Sequence, residues 1–150
     1  MELKIPPVVV FLFFGFVMTL VAKYLPFGSF DFFGSTYLFR GLIGLAVIVS
    51  VVALFQFYKS KTTIDPSKPL ETSHLVTNGV YTFSRNPMYL AMLLLLLAAG
   101  VVLGNAFNTL VAAGFVAYMN RFQIIPEERV LLQKFGKAYK EYCTLTRRWF

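Results

Sequence analysis

The stretch Pro87–Ile125, PMYLAMLLLLLAAGVVLGNAFNTLVAAGFVAYMNRFQII, holds two apolar runs parted by little more than Gly104-Asn105. Pro87 to Gly104 carries no charge, and Ala106 to Ile125 carries only Arg121, near its end. Runs of this length suit the hydrocarbon layer. A spanning helix needs about 20 mainly apolar residues, and interfacial end residues make up a shortfall. So short a connection predicts an antiparallel hairpin. Working outward, Ile5 to Ala22 and Gly41 to Tyr58 are equally free of charge. The expected fold class is all-α: a polytopic membrane protein with about four transmembrane helices and a C-terminal amphipathic cytoplasmic helix. The spans fall at approximately 5–25, 38–58, 87–104 and 106–125, with a cytoplasmic loop over 59–86 and a tail over 126–150.

Composition agrees. Of 150 residues, 57% are hydrophobic and 14% charged, and seventeen are phenylalanine. Soluble domains carry roughly 25% charge, and a core of one-domain size cannot hide this much apolar surface. The first apolar run exceeds the 7–15 residues of a signal-peptide core, and Glu2 weakens the basic start such peptides have, so it is expected to stay as a span. Gly41 and Gly44, like Gly100 and Gly104, are small residues that permit close helix approach.

A net charge of +7 invites a nucleic-acid reading, but the charges are placed by topology. With both termini on one side, that side receives Lys4, Lys59, Lys61, Lys68, Arg85, Arg121, Arg129, Lys134, Lys137, Lys140, Arg147 and Arg148. The other side receives Lys23 and Arg40 alone. Such asymmetry predicts an integral, multi-pass protein with both termini cytoplasmic, facing anionic membrane lipids and no nucleic acid. Cys143 is the only cysteine, so neither an internal disulfide nor a cysteine metal cluster is expected. His74, the only histidine, reads as a solvated loop residue, and no metal site is expected.

Polar chemistry concentrates in two cytoplasmic segments. LVTNGVYTFSRNPMYL (Leu75–Leu90) carries an Asn-Gly turn, two tyrosines and an Arg-Asn-Pro step. Asn86 suits a helix N-cap and Pro87 a first helical residue, while Arg85 could simply reach headgroup phosphates. That account leaves Asn78-Gly79-Val80-Tyr81 and Tyr89 unexplained. In IPEERVLLQKFGKAYKEYC (Ile125–Cys143), Pro126 suits a first helical turn. Leu131, Phe135, Tyr139 and Tyr142 recur at helical spacing, as on an interfacial helix, and Gly136 marks a kink or a close approach. Glu127 and Glu128 suit a helix N-terminus, by about 0.3–1 kcal/mol each. One paired with Arg85 or Arg121 would be structural, and the other, left free, a ligand for a cation. Arg147, Arg148 and Trp149 read as an interfacial anchor.

GVYTFSRNPMYL (Gly79–Leu90), followed about forty residues later by PEERVLLQKFGKAYKEYCTLTRRW (Pro126–Trp149), resembles the integral-membrane methyltransferases related to isoprenylcysteine carboxyl methyltransferase and the phospholipid methyltransferases. The resemblance covers Thr62 to Phe150 and rests on both segments together; the first fifty residues add no motif. It implies S-adenosylmethionine at the cytoplasmic ends of the last helices and a lipophilic or lipid acceptor arriving from the bilayer. It implies Gly79, Tyr81, Arg85, Asn86, Pro87 and Tyr89 as the first cofactor-binding segment, with Glu127 and Glu128 as the second. Asn86 stands where eukaryotic prenylcysteine enzymes usually carry His; Asn at this position resembles the bacterial-type relatives.

The chemistry is consistent with that assignment. Tyrosine faces attract a sulfonium by about 0.5–2 kcal/mol. Arg85 can clamp a carboxylate, a Glu can take an ammonium or ribose hydroxyls, and Asn86 offers both donor and acceptor. Arg85 and Glu128 are the expected catalytic residues, with Glu128 taking the proton of an amine acceptor; a carboxylate or thiolate acceptor needs no base. Two rivals come from other classes. A four-span transporter usually needs an ionisable residue inside the membrane, and no acid lies within these spans. A non-catalytic assembly subunit would use the polar clusters for docking and bind no S-adenosylmethionine.

Overall fold

The computed structural model describes residues 3, 5–59 and 75–150. Residues 60–74, with Lys61, Lys68 and His74, lie outside the described residues, as does Lys4. The order is α1 (Pro7–Tyr24), α2 (Ser35–Lys59), α3 (Pro87–Leu103), α4 (Asn108–Met119) and α5 (Ile125–Leu145). Single 3₁₀ turns lie at Pro26–Gly28 and Gly79–Thr82, and a π turn at Asn120–Ile124. Among the described residues the only β feature is an isolated bridge between Ser29 and Asn105. The fold is all-α, as the apolar runs predict.

Two helical stretches, Pro7–Tyr24 and Ser35–Gln56, are long and apolar enough to cross a membrane. Their outer faces stay uncovered: Phe13 and Phe16 of α1, and Ile48 and Phe55 of α2, are each more than half exposed. A belt of this kind suits lipid rather than water. The 17 residues of α3 span roughly 25 Å at 1.5 Å per residue, less than the full hydrocarbon thickness. This helix is the buried one, with Leu93, Leu94, Leu96 and Ala98 enclosed. Met18, Leu96, Phe115, Met119 and Ile124 form the tightest part of the core, and the Phe14 ring meets Phe115 edge-on at 5.7 Å.

The run expected as a fourth span over 106–125 is not a separate helix. It starts at Asn108 and passes through the π turn into α5 without leaving helical conformation. Pro126 supplies a cause. It has no N–H for the Phe122 carbonyl four residues back, and its ring crowds that carbonyl, so the turn widens. The Leu3 N–H donates to the Phe122 carbonyl instead, at 3.0 Å. Gln123 Nε2 reaches the Ile5 carbonyl at 2.5 Å, so the start of α1 is held at the α4–α5 junction.

At the opposite end, Gly104 ends α3 with φ +56, the left-handed conformation that glycine adopts most readily. Phe30 N–H donates to its carbonyl at 2.7 Å, and Ala106 N–H donates to the Gly28 carbonyl at 2.8 Å. Gly104 therefore serves a turn, while among the described residues no atom lies within 4 Å of where a Cβ of Gly41 or Gly44 would stand. Gly136 interrupts α5 at φ 53, ψ −118, with nothing within 4 Å of its Cβ position among the described residues, so it marks a kink.

Candidate functional site

The stripe on α5 packs against protein. Leu131, Phe135, Tyr139 and Tyr142 join Ala53, Val76 and Tyr81 in a second cluster, pinning α5 across the segment that leads into α3. Tyr142 Oη donates to the Tyr81 carbonyl at 2.6 Å. Burial pushes the Tyr81, Tyr139 and Tyr142 phenols well above their ordinary pKa, so all three stay neutral. Burying this stripe brings the two acids of α5 to the start of α3.

There the acids part company. Glu128 is held by two guanidiniums: Arg85 Nη2 lies 2.9 Å from Oε1, while Arg148 gives Nε to Oε1 at 3.0 Å and Nη2 to Oε2 at 2.8 Å. Glu127 instead accepts a hydrogen bond from Tyr89 Oη. Burial, opposed by the Tyr89 bond and reinforced by the charge on Glu128, raises the Glu127 pKa to about 8. Of the expected positive partners, Arg85 faces Glu128; Arg121 is exposed and lies 5.8 Å from the Phe122 ring.

The remaining expected residues divide. Pro87 is the first residue of α3, as its fixed φ favours. Asn86 occupies the N-cap position, yet its side chain caps nothing; Nδ2 donates to the Arg148 carbonyl at 3.0 Å. Tyr81 and Tyr89 are buried on either side of the Arg-Asn-Pro corner. Gly79 stands apart, facing α2. Its φ is +60, and a Cβ there would fall 1.5 Å from Gln56 Nε2. Beside it lies an open groove of about 560 Å³, walled by Val51, Val52 and Phe55, with Gln56, Lys59 and Asn78 at its polar side. Gln56 Oε1 and Arg85 Nε are buried without a partner among the described residues. No group of three or more His, Cys, Asp or Glu among the described residues is placed to hold a metal ion.

Local reading of the sequence misses the chain end. The Arg148 and Trp149 side chains are tied to the protein and do not form a free lipid anchor. Arg85 N–H donates to the Arg147 carbonyl at 3.0 Å, and Ser84 Oγ to the Arg148 carbonyl at 3.2 Å. Trp149 Nε1 donates to Asn120 Oδ1 at 3.0 Å, in the π turn. No spacing rule links residues more than sixty positions apart, so only the fold reveals Ser84 and Arg148 as part of this corner.

The chain belongs to the phospholipid methyltransferase family, whose sequence model matches residues 36–138, more than half of it. The match begins at the start of α2, earlier than the two polar segments suggest. A protein-S-isoprenylcysteine O-methyltransferase of Schizosaccharomyces pombe is 30% identical over 102 residues, covering 68% of this chain and 43% of that protein. One from Dictyostelium discoideum is 36% identical over 69 residues, covering 45% of this chain and 29% of the other. An uncharacterized protein of Haemophilus influenzae is 45% identical over 62 residues, 41% of this chain and 98% of that one. The chain thus spans less than half the length of the two named methyltransferases it matches. Family and apolar helices together make this a membrane-associated protein.

Proposed function

We propose that this chain transfers a methyl group from S-adenosylmethionine to a lipophilic or membrane-delivered acceptor at the cytoplasmic face of a membrane. In this reading it is one methyltransferase domain that crosses the bilayer about four times, with both termini cytoplasmic. The observation that carries it is the meeting of the two polar segments: Arg85 on Glu128 at 2.9 Å, and Tyr89 on Glu127. The charge pattern agrees, since twelve of fourteen basic residues fall on the side assigned to that meeting point.

The residues present suit the cofactor. Arg85 keeps a buried Nε with no partner among the described residues, a donor suited to a carboxylate. Glu127, facing no guanidinium among the described residues, suits an ammonium once ionised, and the Tyr81 and Tyr89 rings suit a cation nearby. Asn86 and Pro87 shape the corner and Gly79 the approach from α2. When bound, S-adenosylmethionine supplies an electrophilic methyl group on a sulfonium that leaves readily. The protein's share is alignment and exclusion of water, and well-oriented reactants recover about 7–11 kcal/mol of a bimolecular barrier.

A carboxylate or thiolate acceptor needs no base. An amine acceptor must lose a proton, a role the sequence puts on Glu128. Guanidinium donors occupy both oxygens of Glu128, so we assign that role to Glu127, whose raised pKa suits a base once ionised. Glu128 holds Arg85 in place. The groove beside Gly79, apolar on the α2 side, is the route we assign to the acceptor.

The test is a calorimetric titration of the detergent-purified protein with S-adenosylmethionine, using Arg85→Ala and Glu127→Gln as controls. The wild type should bind, Arg85→Ala should lose most affinity and Glu127→Gln should bind more weakly. A folded wild type that binds nothing would favour a transporter or an assembly subunit. Equal binding in all three proteins would keep the cofactor and discard this site.

A further inference from the structure

We infer that Arg148 is a positioning residue of this site, joining its two halves through a guanidinium fork on Glu128 and a carbonyl shared by Ser84 and Asn86. The inference rests on the methyltransferase reading and adds a residue to its machinery.

Three features single Arg148 out. Its Nε and Nη2 take the two oxygens of Glu128 separately, at 3.0 and 2.8 Å, so the carboxylate cannot rotate. A lysine, with a single ammonium, cannot reproduce that fork. Its carbonyl accepts from Ser84 Oγ at 3.2 Å and from Asn86 Nδ2 at 3.0 Å. Ser84 is fully buried, and its Oγ also accepts the Asn86 N–H at 3.2 Å, so this carbonyl anchors the turn that carries Arg85. The segment itself is tied at both ends, by Thr146 Oγ1 to the Thr82 carbonyl at 3.3 Å and by Trp149 to Asn120.

The consequence falls on Arg85. Its side chain is 11% exposed, it contacts Glu128 through Nη2, and its Nε lies buried without a partner among the described residues. With Glu128 fixed by Arg148, Arg85 has one orientation and a donor left over for an incoming carboxylate. Without Arg148, Glu128 is free to turn and Arg85 to follow it. The Arg148 side chain is 41% exposed, and an ion pair that open contributes little to stability. Its effect should therefore appear in ligand binding more than in folding.

The experiment compares two probes on the detergent-purified protein: S-adenosylmethionine and its decarboxylated analogue, which lacks the group Arg85 would clamp. Arg148→Ala should weaken S-adenosylmethionine binding about tenfold, the scale on which outer partners tune the groups they orient. It should leave the affinity for the decarboxylated analogue within about twofold, and Arg148→Lys should recover only part of the loss. Ser84→Ala, which removes one bond to the Arg148 carbonyl, should shift the same probe in the same direction by less. Equal losses for both probes would make Arg148 a structural tie and overturn the inference, as would unchanged binding of S-adenosylmethionine. A folded wild type that binds neither probe would remove the methyltransferase reading and this inference with it.

Discussion

The two ends of the helical bundle meet the same need with different chemistry. At the end bearing the α3–α4 turn, Asn105 donates from Nδ2 to the Leu25 carbonyl at 2.7 Å and accepts the Phe107 N–H at 3.0 Å. The other ties there run between main-chain groups of Gly28, Phe30, Gly104 and Ala106. Every partner is neutral. At the end where α3 begins, the corresponding ties run through Arg85, Arg148 and Glu128, with Asn86 and Ser84 on a carbonyl of the chain end. Burying an ion pair costs more solvation than burying a neutral pair, and apolar replacements often serve stability as well. An ionic end where a neutral one would hold suggests selection for binding, and that contrast can be broken or sharpened at named residues.

The largest effect should come from Arg85→Ala. Truncating one partner of a buried charge pair costs about 2–5 kcal/mol, so affinity for S-adenosylmethionine should fall by about 100-fold in the calorimetric titration. A fall below about threefold would leave Arg85 a structural partner of Glu128.

Gly79→Ala should come next, acting on the fold. The new Cβ would overlap the Gln56 amide in a backbone conformation with φ +60, and a loss of about 2 kcal/mol in stability is expected. Thermal unfolding in detergent reads it. Adding Gln56→Ala should restore part of the loss, because the overlap goes while the strain at positive φ stays; no recovery would show that Gln56 is not the obstacle.

Asn105→Ala breaks the neutral end. Losing two hydrogen bonds there should cost about 1–3 kcal/mol of stability and leave cofactor affinity unchanged. A parallel loss of affinity would mean that the ends are coupled and the contrast between them false.

Stability should also slope with pH. The Glu127 pKa rises from 4.5 to about 8 on folding, chiefly through burial. The folded protein keeps a proton the unfolded chain has already released. The stability this group contributes is therefore complete below about pH 4.5, is lost as pH climbs to about 8, and changes little beyond. Glu127→Gln should flatten the decline of thermal stability across that window. Identical slopes in both proteins would place Glu127 in an environment close to water.

How much of this was legible in the chain follows from the range of each interaction. The apolar runs announce α1, α2 and α3 nearly to their ends, because burial in lipid is written residue by residue. The hairpin turn is equally local, in Gly104-Asn105. The π turn was not legible: Pro126 signals a helix start, and only the Leu3 N–H at the Phe122 carbonyl shows how the chain continues through it. At the site, the residue types of the two segments were readable, and so was the division of labour left open between the two acids. Which acid pairs with arginine was not, because α5 must first lay its Leu131–Tyr142 stripe on Tyr81 and Val76. Arg148 lay furthest from view, since a terminal Arg-Arg-Trp reads equally well as a lipid anchor.

The claim beneath all of this is that one ligand is gripped at once by Gly79–Tyr89 and by the acids of α5. Hydrogen exchange of the detergent-purified protein, with and without saturating S-adenosylmethionine, tests it most directly. Protection should rise together in peptides covering 78–90 and 127–149, with the 25–34 and 104–108 turns unchanged. Protection confined to one segment, or appearing at the α3–α4 turn, would contradict the account.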